Sequence, residues 1–384
     1  MKIAQVAPLW ESVPPKLYGG TERIVSYITE ALVRMGHSVT LFASGDSVTG
    51  ARLEAICPQA LRLNTGIFNR DAPMMMLQER SLGAKGEFDV IHSHLDFLGF
   101  PLARRNPRPV VTTLHGRLDL PELQPVFREF ADMPLVSISD AQRRPLPWAN
   151  WQATIHHGLP AHLYTYHSQH QGYLAFLGRI SPEKRPDHAI EVAKRTGLPL
   201  RIAAKVDPAD LQYFRSEIEP LLDHPLIEFI GEISDAEKND FVGNALALVC
   251  PYDWPEPFGL VLIEALACGT PVLAYRRGSI PEIIEHGTTG FVSENLSEMV
   301  AAVERLGEID RQRCRTSFDQ RFTADRMARD YVALYERIIE ERAAVTTPKI
   351  HTLGAGLLFD GAMTGAANEH SQEGPLHMVG GTHA

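Results

Sequence analysis

Short β-branched runs alternate with amphipathic helical stretches along almost the whole chain, and this alternation constrains the fold more than any other feature. "KIAQVAP" is followed by helical periodicity near residues 21–36, then by "HSVTLFAS", "DVIHSH", "PVVTTLHG", "PLVSISD" and "ATIHHG", ending near residue 158. Strands separated by helix-length segments predict parallel pairing with crossover helices. Residues 159–172, "LPAHLYTYHSQHQG", carry neither period and read as a linker. A second series then opens with the strand "YLAFLGRI" and the helix "PEKRPDHAIEVAKRTG", which has Pro near its start and Gly at its end. "LPLRIAAKV", "LIEFIGEI", "ALALVCP", "TPVLAY" and "TGFVS" continue it.

The expectation is an α/β chain with two tandem sheet domains, 1–158 and 173–322, joined by the linker 159–172. Final helices are expected near 297–309 and 323–343; the segment 323–345 is a candidate to return to the first domain. The Gly-, Ala- and His-rich tail 346–384, with His370, His377 and His383, is expected to be disordered. Ligands of open α/β sheets bind beyond the carboxyl ends of the strands, so a cleft between two such domains is the place to seek function.

Composition narrows the function classes. The chain is 44% hydrophobic and 22% charged, as for a globular protein, and its net charge of −10 argues against a general nucleic-acid surface. No apolar run reaches the roughly 18–20 residues of a bilayer span. "MKIAQVAPLW" reads as a first strand rather than a signal peptide. Cys57, Cys250, Cys268 and Cys314 lack C-x-x-C spacing and read as reduced structural thiols. The expected setting is cytoplasmic, with room for peripheral association at the membrane's inner face; the residues set no oligomeric state.

Three strand-following stretches carry chemistry. In "PPKLYGGTER", Gly19 and Gly20 permit a tight turn into a helix that Thr21 is expected to cap, suiting either an anion or a plain strand-to-helix turn. In "FLGRISPEKRPD", Arg179 ends a strand and Lys184 stands at the expected helix start. Two cations meeting a helix N-terminus suit a diphosphate, although solvated surface charge is the alternative. In "PYDWPEPFGLVLIEALACGTPVL", Gly259 lets backbone approach a ligand, and Glu264 is surrounded by Leu262, Ile263, Ala265 and Leu266. A carboxylate buried there needs hydrogen-bond partners, which sugar or ribose hydroxyls would supply; the alternative is a pair of exposed acids. The histidines of "HSH" (His92, His94) and "HHG" (His156, His157) read as structural or cleft-lining rather than metal ligands.

Taken in order, these stretches resemble the retaining nucleotide-sugar glycosyltransferases of family 4, which have the GT-B fold of two Rossmann-like domains facing across a cleft. The E-x₇-E of "PEPFGLVLIE" is Glu256 and Glu264; "GSIPEIIEHGTTGF" matches the family's next stretch, with Ser279 where a second glycine is common; "LHG" supplies His115. "PPKLYGGTER" resembles a bacterial branch, and the resemblance covers about residues 1–343.

The resemblance implies a hexosyltransferase that uses a nucleotide diphosphate sugar, acts on a saccharide or lipid-linked acceptor, and needs no cofactor or metal. Arg179 and Lys184 would hold the diphosphate, with the backbone at Phe258, Gly259 and Leu260. Glu264 would bind the ribose, Glu256 the transferred sugar, and Ile233 the base. His115 would lie near that sugar, and Gly20 near the phosphates and acceptor. No D-x-D motif, the metal-dependent signature, occurs in the sequence. Two other readings stand: a GT-B nucleotide-sugar epimerase and an inactive nucleotide-sugar binding protein.

Overall fold

The structure, a computed structural model, describes residues 1–16, 19–62, 64–83 and 88–346. The tail 347–384, with His370, His377 and His383, and Leu17 and Tyr18 of "PPKLYGGTER" lie outside the described residues.

Thirteen strands form two all-parallel sheets among the described residues. The first comprises β1 (Lys2–Val6), β2 (Ser38–Ala43), β3 (Arg52–Ala55), β4 (Val90–Ser93), β5 (Val110–Thr113), β6 (Leu135–Ser137) and β7 (Trp151–Thr154), in the order β3-β2-β1-β4-β5-β6-β7. The second comprises β8 (Leu174–Arg179), β9 (Leu200–Lys205), β10 (Ile227–Gly231), β11 (Ala247–Cys250), β12 (Val272–Tyr275) and β13 (Gly290–Ser293), in the order β10-β9-β8-β11-β12-β13. The strand order therefore reverses between β1 and β4 and again between β8 and β11. Crevices open beyond the carboxyl ends of strands at such switch points. Both sheets belong to one compact unit, residues 1–344.

The period of two decides which side chains meet which layer. On β1, Ala4 and Val6 enter one apolar cluster, whereas Ile3 enters another with Val90, Val111 and Val136. That second cluster is completed by Met327, Tyr331, Tyr335 and Ile338 of the final helix, Ala324–Thr346. The end of this helical stretch thus packs on the first sheet. The crossover is narrow: Ala324 N–H donates to the Leu159 carbonyl at 2.8 Å and Leu159 N–H to that of Phe322 at 2.9 Å. A Cβ on Gly158 would stand 2.2 Å from the Thr323 carbonyl oxygen, so only glycine admits this approach.

Some local expectations change. Thr21 is not a cap: the first helix starts at Gly20, its N-cap is Gly19, and Thr21 lies inside it. Lys184 ends a separate 3₁₀ turn, Pro182–Lys184, and the helix proper begins at Pro186. The helix expected over 297–309 stops at Val303. A further helix, Arg311–Arg321, has only Cys314 and Phe318 as buried apolar residues, too few for a visible period. Residues 159–172 hold no helix or strand beyond the Leu159–Thr323 bridge.

Candidate active site

A cavity of about 680 Å³ lies where loops from the carboxyl ends of both sheets meet, within the range of small-molecule sites. All ten residues expected to serve the site line it: Gly20, His115, Arg179, Lys184, Ile233, Glu256, Phe258, Gly259, Leu260 and Glu264. Among the described residues, eight Lys and Arg line it beside eight Asp and Glu, whereas the whole chain carries 37 against 47. Cations are therefore enriched there.

Arg179 ends β8, and its guanidinium meets Glu183 at 2.6 Å, Asp210 at 3.5 Å and Asp207 at 3.8 Å. Lys184 Nζ contacts the Glu256 carboxylate at 2.5 Å and sits over the Tyr252 ring, 3.8 Å from its centroid. Both cations are held in place by carboxylates and an aromatic face. Their positions are thereby set by contacts within the chain.

The loop before the helix Leu260–Cys268 is fixed from several sides. Gly259, its N-cap, has φ +85°, and Gly278 has φ +51°. A Cβ on Gly278 would come within 2.3 Å of the Glu256 carbonyl oxygen. Ser279 stands where the family often has glycine, and it ties the loop: its N–H donates to the Glu256 carbonyl at 3.0 Å and its hydroxyl to the Phe258 carbonyl at 2.8 Å. From the first sheet, the Ser139 hydroxyl donates to the Pro257 carbonyl at 2.7 Å.

Glu264 is 3% exposed, and its Oε2 has no hydrogen-bond partner among the described residues. Its Oε1 stands 3.7 Å from Lys238 Nζ, which also meets Asp235 at 3.0 Å. Burial opposes charge on Lys238, but Glu264 and Asp235 raise its pKa on balance. The sequence pattern does not point to this lysine, because 26 residues separate it from Glu264 and no short motif joins them. Nor does it point to Arg23, whose guanidinium pairs with Asp235 across the cleft. Ile233, after β10, lines the same side.

On the opposite wall, a Cβ on Gly20 would find Leu260 Cδ1 at 3.8 Å, so the two N-terminal helix ends approach closely. Glu22, in the first turn of the helix that Gly20 opens, is pushed up to about 7 by burial. His115 follows β5; its Nε2 is 2.9 Å from His94 Nδ1, and its ring stacks on His157 at 5.2 Å between centroids. Burial pushes His115 down to about 3 and holds His92, His94 and His157 well below the usual imidazole range, so this cluster is neutral. His157 also packs edge-on against Phe258, 4.8 Å away. Asp96, another lining residue that the sequence pattern does not single out, adopts φ +50° beside the cavity. Its side chain touches solvent there, yet the enclosing protein raises it to about 6. Its positive φ is a property of the fold that the "HLDF" pattern does not reveal. Among the described residues, no group of three or more His, Cys, Asp or Glu is placed to hold a metal ion.

Residues 18–197 match the family described as Glycosyltransferase Family 4, and residues 167–317 match Glycosyl transferases group 1. The chain is 34% identical to a D-inositol 3-phosphate glycosyltransferase of Rhodococcus erythropolis, over 41% of this chain and 40% of that one. It is 32% identical to an N-acetyl-alpha-D-glucosaminyl L-malate synthase of Bacillus anthracis, over 27% and 30%. These two matches therefore span well under two thirds of each relative. A phosphatidyl-myo-inositol mannosyltransferase of Mycolicibacterium smegmatis is 26% identical over 82% of this chain and 86% of its own. Among solved structures, a sucrose-phosphate synthase from Thermosynechococcus elongatus superposes with a TM-score of 0.71 at 18% identity, covering 88% of this chain and 99% of that one. Anabaena HepE in complex with UDP and glucose gives 0.65 at 17%, covering 89% and 99%. No described helix is long and apolar enough to cross a membrane. Two parallel sheets with their loops around one cleft, and two glycosyltransferase family matches that together run from residue 18 to residue 317, place this chain among the GT-B glycosyltransferases of the family 4 type.

Proposed function

We propose that this chain transfers a hexosyl group from a nucleotide diphosphate sugar to a saccharide or lipid-linked acceptor, with retention of anomeric configuration and without a metal ion. One observation carries the reading: a buried carboxylate with an unpartnered oxygen, Glu264, shares a cavity with two held cations and a helix N-terminus. Ribose hydroxyls donate to Glu264, while Arg179, Lys184 and the amides following Gly259 face the diphosphate. As the bond from the sugar C1 to the β-phosphate oxygen breaks, charge grows on that oxygen. Fixed cations and amide dipoles suit it best, because they need no reorganisation at that moment. The acceptor oxygen bonds to C1 on the same face, and its proton passes to the departing phosphate oxygen. Nucleoside diphosphate and glycoside leave as products.

Glu256 serves this scheme as a sugar-hydroxyl acceptor rather than as a glycosidase nucleophile, since it is held by Lys184. The absence of a D-x-D motif supports metal independence. Four free, buried cysteines suit a reducing compartment such as the cytoplasm. The names of the inositol- and phosphatidylinositol-using relatives support a polyol or lipid-linked acceptor.

The test incubates the purified chain with UDP-, GDP-, ADP- and TDP-hexoses and a panel of saccharide and lipid-linked acceptors, with and without EDTA. The products are read by NMR at the anomeric carbon. The expected product keeps the donor's anomeric configuration, and EDTA leaves its yield unchanged. An epimerised sugar formed without acceptor, or tight nucleotide binding with no turnover in any pairing, overturns the proposal.

A further inference from the structure

The histidines of the cleft are the visible end of a polar chain that runs through the first sheet to the last helix. Gln5 of β1 and His92 of β4 are register partners at the switch point of the sheet. Both lie on the face of Ile3 and Val90, which the final helix covers. An apolar pair would suit that layer; instead it buries Gln5, His92, Thr113, Tyr331 and Tyr335, each at most 1% exposed.

With the Gln5 amide nitrogen turned to Tyr335, the contacts give one set of proton positions. The Gln5 amide nitrogen donates to the Tyr335 hydroxyl oxygen at 3.3 Å, so the Tyr335 hydroxyl gives its own proton to His92 Nδ1 at 2.7 Å. His92 then carries its proton on Nε2 and donates to Thr113 Oγ1 at 2.7 Å. With its nitrogen turned to Tyr335, Gln5 presents Oε1 to His94 Nε2 at 2.9 Å, which makes that nitrogen an N–H donor. His94 Nδ1 is left with a lone pair, and His115 Nε2 donates to it across 2.9 Å. The proton of His115 therefore sits on Nε2, and Nδ1 is bare. That Nδ1 is buried with no partner among the described residues, in a side chain that lines the cavity.

A reversed chain of protons would satisfy the same contacts but leave an unpaired N–H on His115. A buried orphan donor is rarer than an under-used acceptor. We infer that Gln5 and Tyr335 are positioning residues that set the tautomer of His115, so that its Nδ1 accepts a hydrogen bond from a hydroxyl of the donor sugar. The hydroxyl's identity as a sugar group rests on the proposed transfer reaction; the tautomer assignment does not. The return of the final helix to the first sheet thereby gains a second role, since the helix polarises the site from behind as well as covering apolar surface.

The test uses the full chain with ¹⁵N-labelled histidine, reading ring-nitrogen shifts by long-range ¹H–¹⁵N correlation, with His94 and His115 assigned by single substitution. In the native chain both rings are expected to be neutral with the proton on Nε2. Gln5→Glu places an anion beside His94 and draws a second proton to its Nδ1. That proton then donates to His115 Nε2, and the His115 proton moves to Nδ1. The expected kinetics are a fall in kcat of about 10- to 100-fold, as for one hydrogen bond lost with its buried partner left unsatisfied, with donor KM changed less than about threefold. Tyr335→Phe, which keeps the apolar packing, is expected to give mixed tautomers and a smaller fall in kcat. A native His115 protonated on Nδ1 overturns the inference. So does an unmoved His115 spectrum in both variants, provided their melting temperatures show them folded. Should no donor be turned over while the spectra follow expectation, the transfer reading fails and the positioning chain stands.

Discussion

Glu264→Leu separates a functional carboxylate from a structural one, because the two roles give opposite signs. The side chain is 3% exposed, Oε2 lacks a partner among the described residues, and Oε1 has only Lys238, at 3.7 Å. A buried polar group left unsatisfied costs about 1–3 kcal/mol, and an apolar side chain of similar shape relieves that. Against this, Lys238 loses one carboxylate but keeps Asp235 at 3.0 Å, a loss of about 1–2 kcal/mol for a partly compensated pair. Stability should thus change by about 1 kcal/mol or less, a melting shift of about 3 °C at most. Binding behaves differently. A hydrogen bond from ribose to an ionised carboxylate contributes about 1.5–3 kcal/mol, so affinity for the nucleoside diphosphate should fall about 10- to 150-fold. The assay is calorimetric titration with whichever of UDP, GDP, ADP and TDP gives the largest thermal shift, beside a melt without nucleotide. Unchanged nucleotide affinity together with a large drop in melting temperature would refute the assignment of Glu264 to the ligand.

Two further outcomes are expected. Lys184→Ala should lower kcat about 10²- to 10³-fold, the usual loss when one donor to developing charge is removed, and weaken donor binding much less; steady-state kinetics with donor titration check it. Acid should destabilise the fold: His115 is pushed to about 3, and His92, His94 and His157 well below the ordinary value, while unfolded imidazoles titrate near ~6.5. Between those values the unfolded chain holds more protons, so the stability from these groups is complete above ~6.5 and is lost as pH falls towards 3. Glu11, Glu22 and Asp96, all raised by burial, act the other way over part of this range, but three carboxyls face these four imidazoles and three more that burial also lowers, His37, His170 and His188. A melting temperature that rises between about pH 7.5 and about pH 5 would contradict this balance.

Much of the fold was legible because its signals are local. Apolar runs such as "LVLIEALA" and "ALALVC" fix element type within a few residues, and Gly259 and Gly269 bound the helix that carries Glu264. The positions of Arg179 at a strand end, and of Glu256 and Gly259 after one, followed from the same pattern. What stayed hidden depends on distant partners or on backbone geometry. Arg311–Arg321 is a helix because Asp310 caps it and two side chains reach a core, not because its own pattern repeats. Lys238 becomes a site residue only once the helix Asp235–Gly243 is laid beside Leu260–Cys268.

Local pattern in the chain was enough to dictate the alternation, hence parallel sheets, and with them the rule that chemistry sits after strands. It also supplied the residue types that the proposed anionic, hydroxyl-rich ligand would require. The protonation and pairing of those residues came from the assembled fold. Gln5 is 87 residues from His92 and 330 from Tyr335, and no local pattern links the three. Hydrogen-bond direction is set by which neighbour already gives its proton, and that is a property of the packed layer rather than of any segment within it.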